Sequence, residues 1–125
     1  MAWTDQRPLS PHLQIYKMPI TAIFSVLHRG TGAVLFIGLL LMIGVLVVVA
    51  SGADSWQAMH NLLSSGFGKL VLFGFTFSLY YHFCNGIRHL FWDIGKGLSV
   101  VEVHKSAWVV MISSVILTVV TWIIA

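Results

Sequence analysis

Three stretches without an acidic or basic side chain divide this chain. They are residues 30–53 between Arg29 and Asp54, residues 70–87 between Lys69 and Arg88, and residues 106–125 after Lys105, and they run for 24, 18 and 20 residues. A helix of about 20 apolar residues, rising 1.5 Å per residue, crosses the hydrocarbon core of a bilayer. With their flanks, the runs predict membrane-spanning helices over roughly 22–50, 66–92 and 104–125, behind a lead-in over residues 1–20. There is no repeat, low-complexity segment or linker, so residues 1–125 are read as one domain, an all-α integral membrane protein of three spans.

Composition agrees with the pattern. Hydrophobic residues make up 58% of the chain and charged residues 9%, with a mean hydropathy of +0.89. A water-facing surface needs more charge than that, so a soluble domain is excluded. The cations are placed unevenly. Arg7, Lys17 and Arg29 precede the first span and Arg88, Lys96 and Lys105 border the second connection, whereas only Lys69 lies on the other side. This bias predicts a cytoplasmic N-terminus and a C-terminus outside. The same dispersal along the membrane boundary explains the net charge of +3 without any nucleic-acid partner.

Residues 1–19 hold Pro8, Pro11 and Pro19 and lack the apolar core of a signal peptide. Their aromatics, Trp3 and Tyr16, suggest a lead-in on which something packs. Cys84 is the single cysteine, so no disulfide within the chain is possible.

Chemistry concentrates in the second span. His82, Gly86, His89 and Asp93 follow i, i+4, i+7, i+11 spacing and share one helical face. An ionisable residue within a membrane helix is costly and marks a functional hypothesis, and neutral imidazole binds haem iron well. His82 is thus either an iron ligand or a buried histidine hydrogen-bonded to a neighbouring helix. Gly86 leaves space for a flat cofactor or a second helix. Asp93 is read as a proton carrier or an interfacial cap. Thr21, Ser25, His28 and Gly32 repeat the spacing on the first span, with Arg29 one turn beyond Ser25. Arg29 alone could snorkel to the headgroups, but the complete stripe points to a site between the two helices.

Depth sorts the histidines at this stage. Counting from Arg29 and Arg88 as interfacial markers places His82 about 9 Å deeper than Arg88, and His28 and His89 at shallow level. His82 and His89, about 10 Å apart along one helix, cannot grip one iron from both sides. One axial ligand is expected from this chain and the other from another subunit, with His28, Arg29 and His89 suited to haem propionates. His60 is read as interfacial in the outer loop and His104 as a solvated loop residue, while His12 has no assigned role.

Three ordered segments carry a resemblance over nearly the whole chain. They are Arg7-Pro-Leu-Ser-Pro-His-Leu-Gln-Ile-Tyr16, Ser25-Val-Leu-His28-Arg29-Gly-Thr-Gly32 and His82-Phe-Cys-Asn-Gly86-Ile-Arg88-His89-Leu-Phe-Trp-Asp93. Together they resemble the cytochrome b subunits that anchor succinate dehydrogenase (respiratory complex II) to the membrane. The resemblance implies a three-helix anchor within a heteromeric transmembrane helix bundle. Its implied partners are a flavoprotein subunit, an iron–sulfur subunit, a second small anchor and membrane lipid. It also implies a bacterial inner membrane location with a periplasmic C-terminus. His82 matches an axial ligand of haem b, shared with the second anchor. Ser25 and Arg29 match quinone-binding positions, with ubiquinone as the expected substrate, and His28 and Arg29 match propionate contacts. Succinate would be oxidised at flavin elsewhere, so this chain alone is not expected to oxidise it. The rival readings are the anchor of a quinol:fumarate reductase and a haem-free membrane scaffold.

Overall fold

The computed structural model describes residues 17–125. The readings made for residues 1–16, including the Arg7–Tyr16 segment, the packing role of Trp3 and Tyr16, and His12, lie outside the described residues. Four helices follow in order: α1 (Ile20–Ala50), α2 (Ala53–Ser64), α3 (Gly66–Asp93) and α4 (Val100–Ile124). Of these α1, α3 and α4 are long and apolar enough to cross a membrane. At 31 residues, α1 measures about 46 Å, so it outruns the hydrocarbon core and reaches past it or tilts. α3 is the central element and packs against α4 and α1, with α2 resting on its N-terminal end.

The polarity of this bundle is the reverse of a soluble one. Its outer surface carries Leu39, Leu40, Leu41, Val47, Leu117 and Ile123, all exposed, as lipid-facing side chains should be. The buried positions include Thr31, Ser78, Asn85, Arg88, Ser114 and Thr118 beside Phe24, Tyr81, Ala107 and Val110. Lipid gives no hydrophobic reason to pair apolar faces, so small and hydrogen-bonding residues close the gaps between helices. Ser114 and Thr118 return their hydroxyls to Val110 O and Ser114 O, at 2.6 and 2.7 Å, which lets α3 come close. Tyr80 and Thr121 bridge α3 to α4 at 2.7 Å, and Tyr81 donates to Phe24 O on α1 at 2.8 Å.

Two elements differ from the sequence expectation. The outer connection, read as a loop, contains α2, on which Trp56 and His60 lie with ring centroids 5.8 Å apart. Trp56, Met59 and Leu63 recur at helical spacing, a short amphipathic pattern suited to the bilayer interface. α4 begins at Val100 instead of near 104 because Ser99 and Glu102 form a reciprocal capping box. Glu102 therefore serves the helix start, and His104 is an exposed helical residue and not a loop one.

α2 joins α3 through a single residue, Ser65, whose hydroxyl caps Gly68 N at 3.1 Å. A Cβ on Gly68 would collide with the carbonyl oxygen of Leu62 and lie 2.6 Å from that of Leu63. Backbone cannot yield as a flexible side chain can. Gly68→Ala is expected to cost about 1–3 kcal/mol through overpacking, read as a lowered melting temperature of the assembled protein in detergent. An unchanged melting temperature would show that the α2–α3 corner opens without cost.

Candidate histidine site between α1 and α3

α1 and α3 bring three imidazoles together. The His28 and His82 rings stack with centroids 4.0 Å apart and planes 13° apart, and His89 lies 5.1 Å from His28. This corrects the sequence-based depth ordering, in which His28 was shallow and remote from His82. Counting residues from two arginines compares depths only if both lie at one level, and the stacking of His28 on His82 shows that Arg29 and Arg88 do not. Arg88 is 6% exposed and lies inside the bundle. Its Nε donates to Ser106 Oγ at 2.8 Å, its Nη2 to Val103 O at 2.8 Å and its Nη1 to Asn85 Oδ1 at 3.2 Å. The guanidinium also lies 4.1 Å over the Trp92 ring. Arg88 is a cross-link from α3 to α4, where the sequence suggested a cation at the interface.

His82 is held by the backbone of α1. Its Nδ1 lies 3.1 Å from His28 O and 3.4 Å from Thr31 Oγ1, while Thr31 Oγ1 itself donates to His28 O at 2.9 Å. A carbonyl only accepts, so Nδ1 carries the proton and the neutral ring keeps its lone pair on Nε2. Gly32 makes the close approach possible, since a Cβ there would lie 3.0 Å from His82 Cε1. A Cβ on Gly86, by contrast, would meet nothing within 4 Å, so that part of the α3 face is uncovered by the described residues.

The remaining candidates divide. Ser25 is half-buried on the turn of α1 before His28, and Arg29 is exposed. Among the described residues Arg29 makes no ion pair or hydrogen bond. Asp93 ends α3 and is exposed. His28 Nδ1 is buried without a hydrogen-bond partner, an acceptor or donor left over for something outside the described residues. Of the three rings only His28 and His82 stack, His89 being tilted 42° to His28, and among the described residues no group of three His, Cys, Asp or Glu side chains is arranged to hold a metal ion by itself. A separate cavity of about 310 Å³ opens between α3 and α4, bordered by Cys84, Phe91, Arg88, Lys96 and Ser106 and by none of these histidines. Sequence reading passed over Asn85 and Thr31; a polar residue in an otherwise apolar span was the available signal for both.

Comparison with known proteins places this arrangement. Residues 4–121 match the family model of the succinate dehydrogenase/fumarate reductase transmembrane subunit. The chain is 41% identical over 119 residues to the succinate dehydrogenase cytochrome b556 subunit of Rickettsia prowazekii, covering 95% of this chain and 93% of that one. It is 39% identical over 118 residues to the cytochrome b556 subunit of Paracoccus denitrificans, covering 94% and 91%. To the mitochondrial cytochrome b560 subunit of Bos taurus it is 38% identical over 115 residues, covering 90% and 68%. A three-span bundle with a histidine cluster between its first two spans, matched over most of its length, belongs to the succinate dehydrogenase/fumarate reductase transmembrane subunit family.

Proposed function

We propose that this chain is the haem b-carrying anchor of a succinate dehydrogenase, and that the polar end of α1 helps form the site where ubiquinone is reduced. One observation carries the reading. His82 spends its Nδ1–H on a backbone carbonyl, which fixes the ring and leaves the Nε2 lone pair for iron. The buried, orphaned Nδ1 of half-buried His28 and the bare face at Gly86 fit a flat, partly charged group beside that ring.

Haem b, when bound, supplies a one-electron store within the membrane. His82 would hold its iron, and His28, Arg29 and His89 are the donors suited to its propionates. His28, stacked on His82 at 4.0 Å, would not supply a second iron ligand alongside it. That ligand would come from a partner, in keeping with a heteromeric bundle that has a second small anchor. A flavoprotein subunit and an iron–sulfur subunit complete the complex in this reading, seated on the cytoplasmic side of a bacterial inner membrane. The N-terminus of this chain lies on that side and its C-terminus is periplasmic.

Ubiquinone reduction needs two electrons and two protons. Electrons arrive singly from the iron–sulfur partner, and negative charge builds on the quinone oxygens before protons neutralise it. Ser25 donates a hydrogen bond to a quinone carbonyl, which fixes its place. Arg29 brings a permanent positive charge to the oxygen where the negative charge develops. The relatives are subunits of succinate dehydrogenases, which favours succinate oxidation over the reverse, quinol-driven reaction.

Arg29→Ala tests the reading. Loss of one such stabilising donor is expected to lower succinate–ubiquinone activity about 10²-fold. Succinate oxidation with a water-soluble acceptor, which draws electrons before the membrane site, should stay within about twofold by the same logic. Equal loss in both assays would mean that Arg29 serves assembly and not quinone chemistry.

A further inference from the structure

Asn85 has no exposed surface and sits between two polar neighbours of its own helix. Its Oδ1 accepts from Arg88 Nη1 at 3.2 Å, and its Nδ2 faces His89 Nε2 at 3.4 Å. A guanidinium contains donors only, so the amide atom turned toward it must be the oxygen. Arg88 cannot rotate away to allow the reverse. Its Nε is fixed on Ser106 Oγ and its Nη2 on Val103 O, both 2.8 Å away on α4. Nor can the amide turn to water, because none reaches a residue so enclosed. An amide NH2 group only donates, and the ring nitrogen it meets must therefore carry a lone pair.

We infer that Asn85, keyed by Arg88, is a positioning residue that holds His89 as the neutral tautomer protonated on Nδ1. His89 then presents an N–H, and no lone pair, to an oxygen acceptor of a bound group. His82 is protonated on the same atom, but there Nδ1–H is consumed by His28 O and Nε2 is left over. The two rings thus share one tautomer and offer opposite nitrogens. His82 offers a lone pair suited to a metal, and His89 a donor suited to a carboxylate or carbonyl oxygen. Only the identity of that oxygen, a propionate or a quinone, rests on the proposed function; the tautomer follows from the side-chain network alone.

The test is 15N solid-state NMR on the assembled complex labelled with 15N-histidine and reduced with dithionite, so that any low-spin iron is diamagnetic. The His89 signals are identified by their loss in His89→Gln. The expected spectrum of the unsubstituted protein shows a protonated Nδ1 and a bare Nε2 at His89. A bare Nδ1, or a doubly protonated ring, overturns the inference whatever any variant does. In Asn85→Asp the replacement carboxylate only accepts, so the proton should move to Nε2 and the two nitrogen shifts should exchange character. Asn85→Leu, which offers no partner, should give a mixture of both tautomers. An unchanged spectrum in either variant would remove Asn85 from the role. Failure of the haem reading would show separately, as absent haem absorbance in the same sample, with the His89 shifts still readable.

Discussion

Replacing His82 by leucine is expected to abolish the low-spin haem signal of the assembled complex, or to leave only a high-spin, five-coordinate form. His89→Leu is expected to keep a six-coordinate, low-spin spectrum with a shifted midpoint potential. The two residues lie on one face of α3, seven positions apart, so sequence spacing alone does not separate them. Their hydrogen bonds do. His82 has its Nδ1 anchored on α1 and its Nε2 uncommitted, whereas the Nε2 of His89 faces the Asn85 amide. Loss of His82 removes the one lone pair in the cluster that is both fixed in direction and free. His28 is too closely stacked on His82 to serve from the opposite side, though it could slide toward the gap in His82→Leu. Such rescue would itself appear as a low-spin form that is lost when His28→Leu is added. Optical spectra and electron paramagnetic resonance of both single variants decide the matter. A normal low-spin signal in His82→Leu, lost in His89→Leu, would reverse the assignment.

The spans were legible because a charge within hydrocarbon is expensive, and three uncharged runs therefore mark three helices. The same rule misled at Arg88. It was taken as the end of a run, and so as the membrane boundary, although the side chain turns inward onto Ser106 and Val103. Those partners lie 18 and 15 residues away on another helix, and no local pattern records how α3 is rotated against α4. The depth error for His28 came from setting Arg29 and Arg88 at one level, which the stacking of His28 on His82 contradicts. The faces themselves were readable: His82 with His89, and Ser25 with His28 and Gly32, each at helical spacing. Gly32 was legible as a space-maker, but only the structure shows that the space is taken by the His82 ring. α2 was missed because its twelve residues are mixed in polarity and begin after Gly52, a residue that reads in sequence as a turn signal.

Arg88→Ala is expected to reduce the amount of assembled complex severely and to lower the melting temperature of what remains. The size of the effect depends on what the lost side chain leaves behind. Ser106 Oγ still reaches Val103 O at 3.2 Å, so that pair stays satisfied. Asn85 Oδ1 does not; it is fully enclosed and loses the only donor it has among the described residues. A buried acceptor stranded in this way costs about 1–3 kcal/mol. The void left by the guanidinium and its stem, and the lost contact with the Trp92 face, bring the total to about 3–5 kcal/mol. Few membrane bundles can lose that much and remain intact, given total stabilities of about 5–15 kcal/mol. Arg88→Lys separates charge from geometry. An ammonium keeps the charge but cannot span Ser106, Val103 and Asn85 at once, so it should recover only part of the loss. Arg29→Ala is the control, since an exposed arginine without a partner among the described residues should leave assembly intact. Arg88→Ala with full assembly and an unchanged melting temperature would return this arginine to the headgroup region. The α3–α4 contact would then rest on Tyr80 with Thr121, Trp122 with Thr76, and the small buried residues.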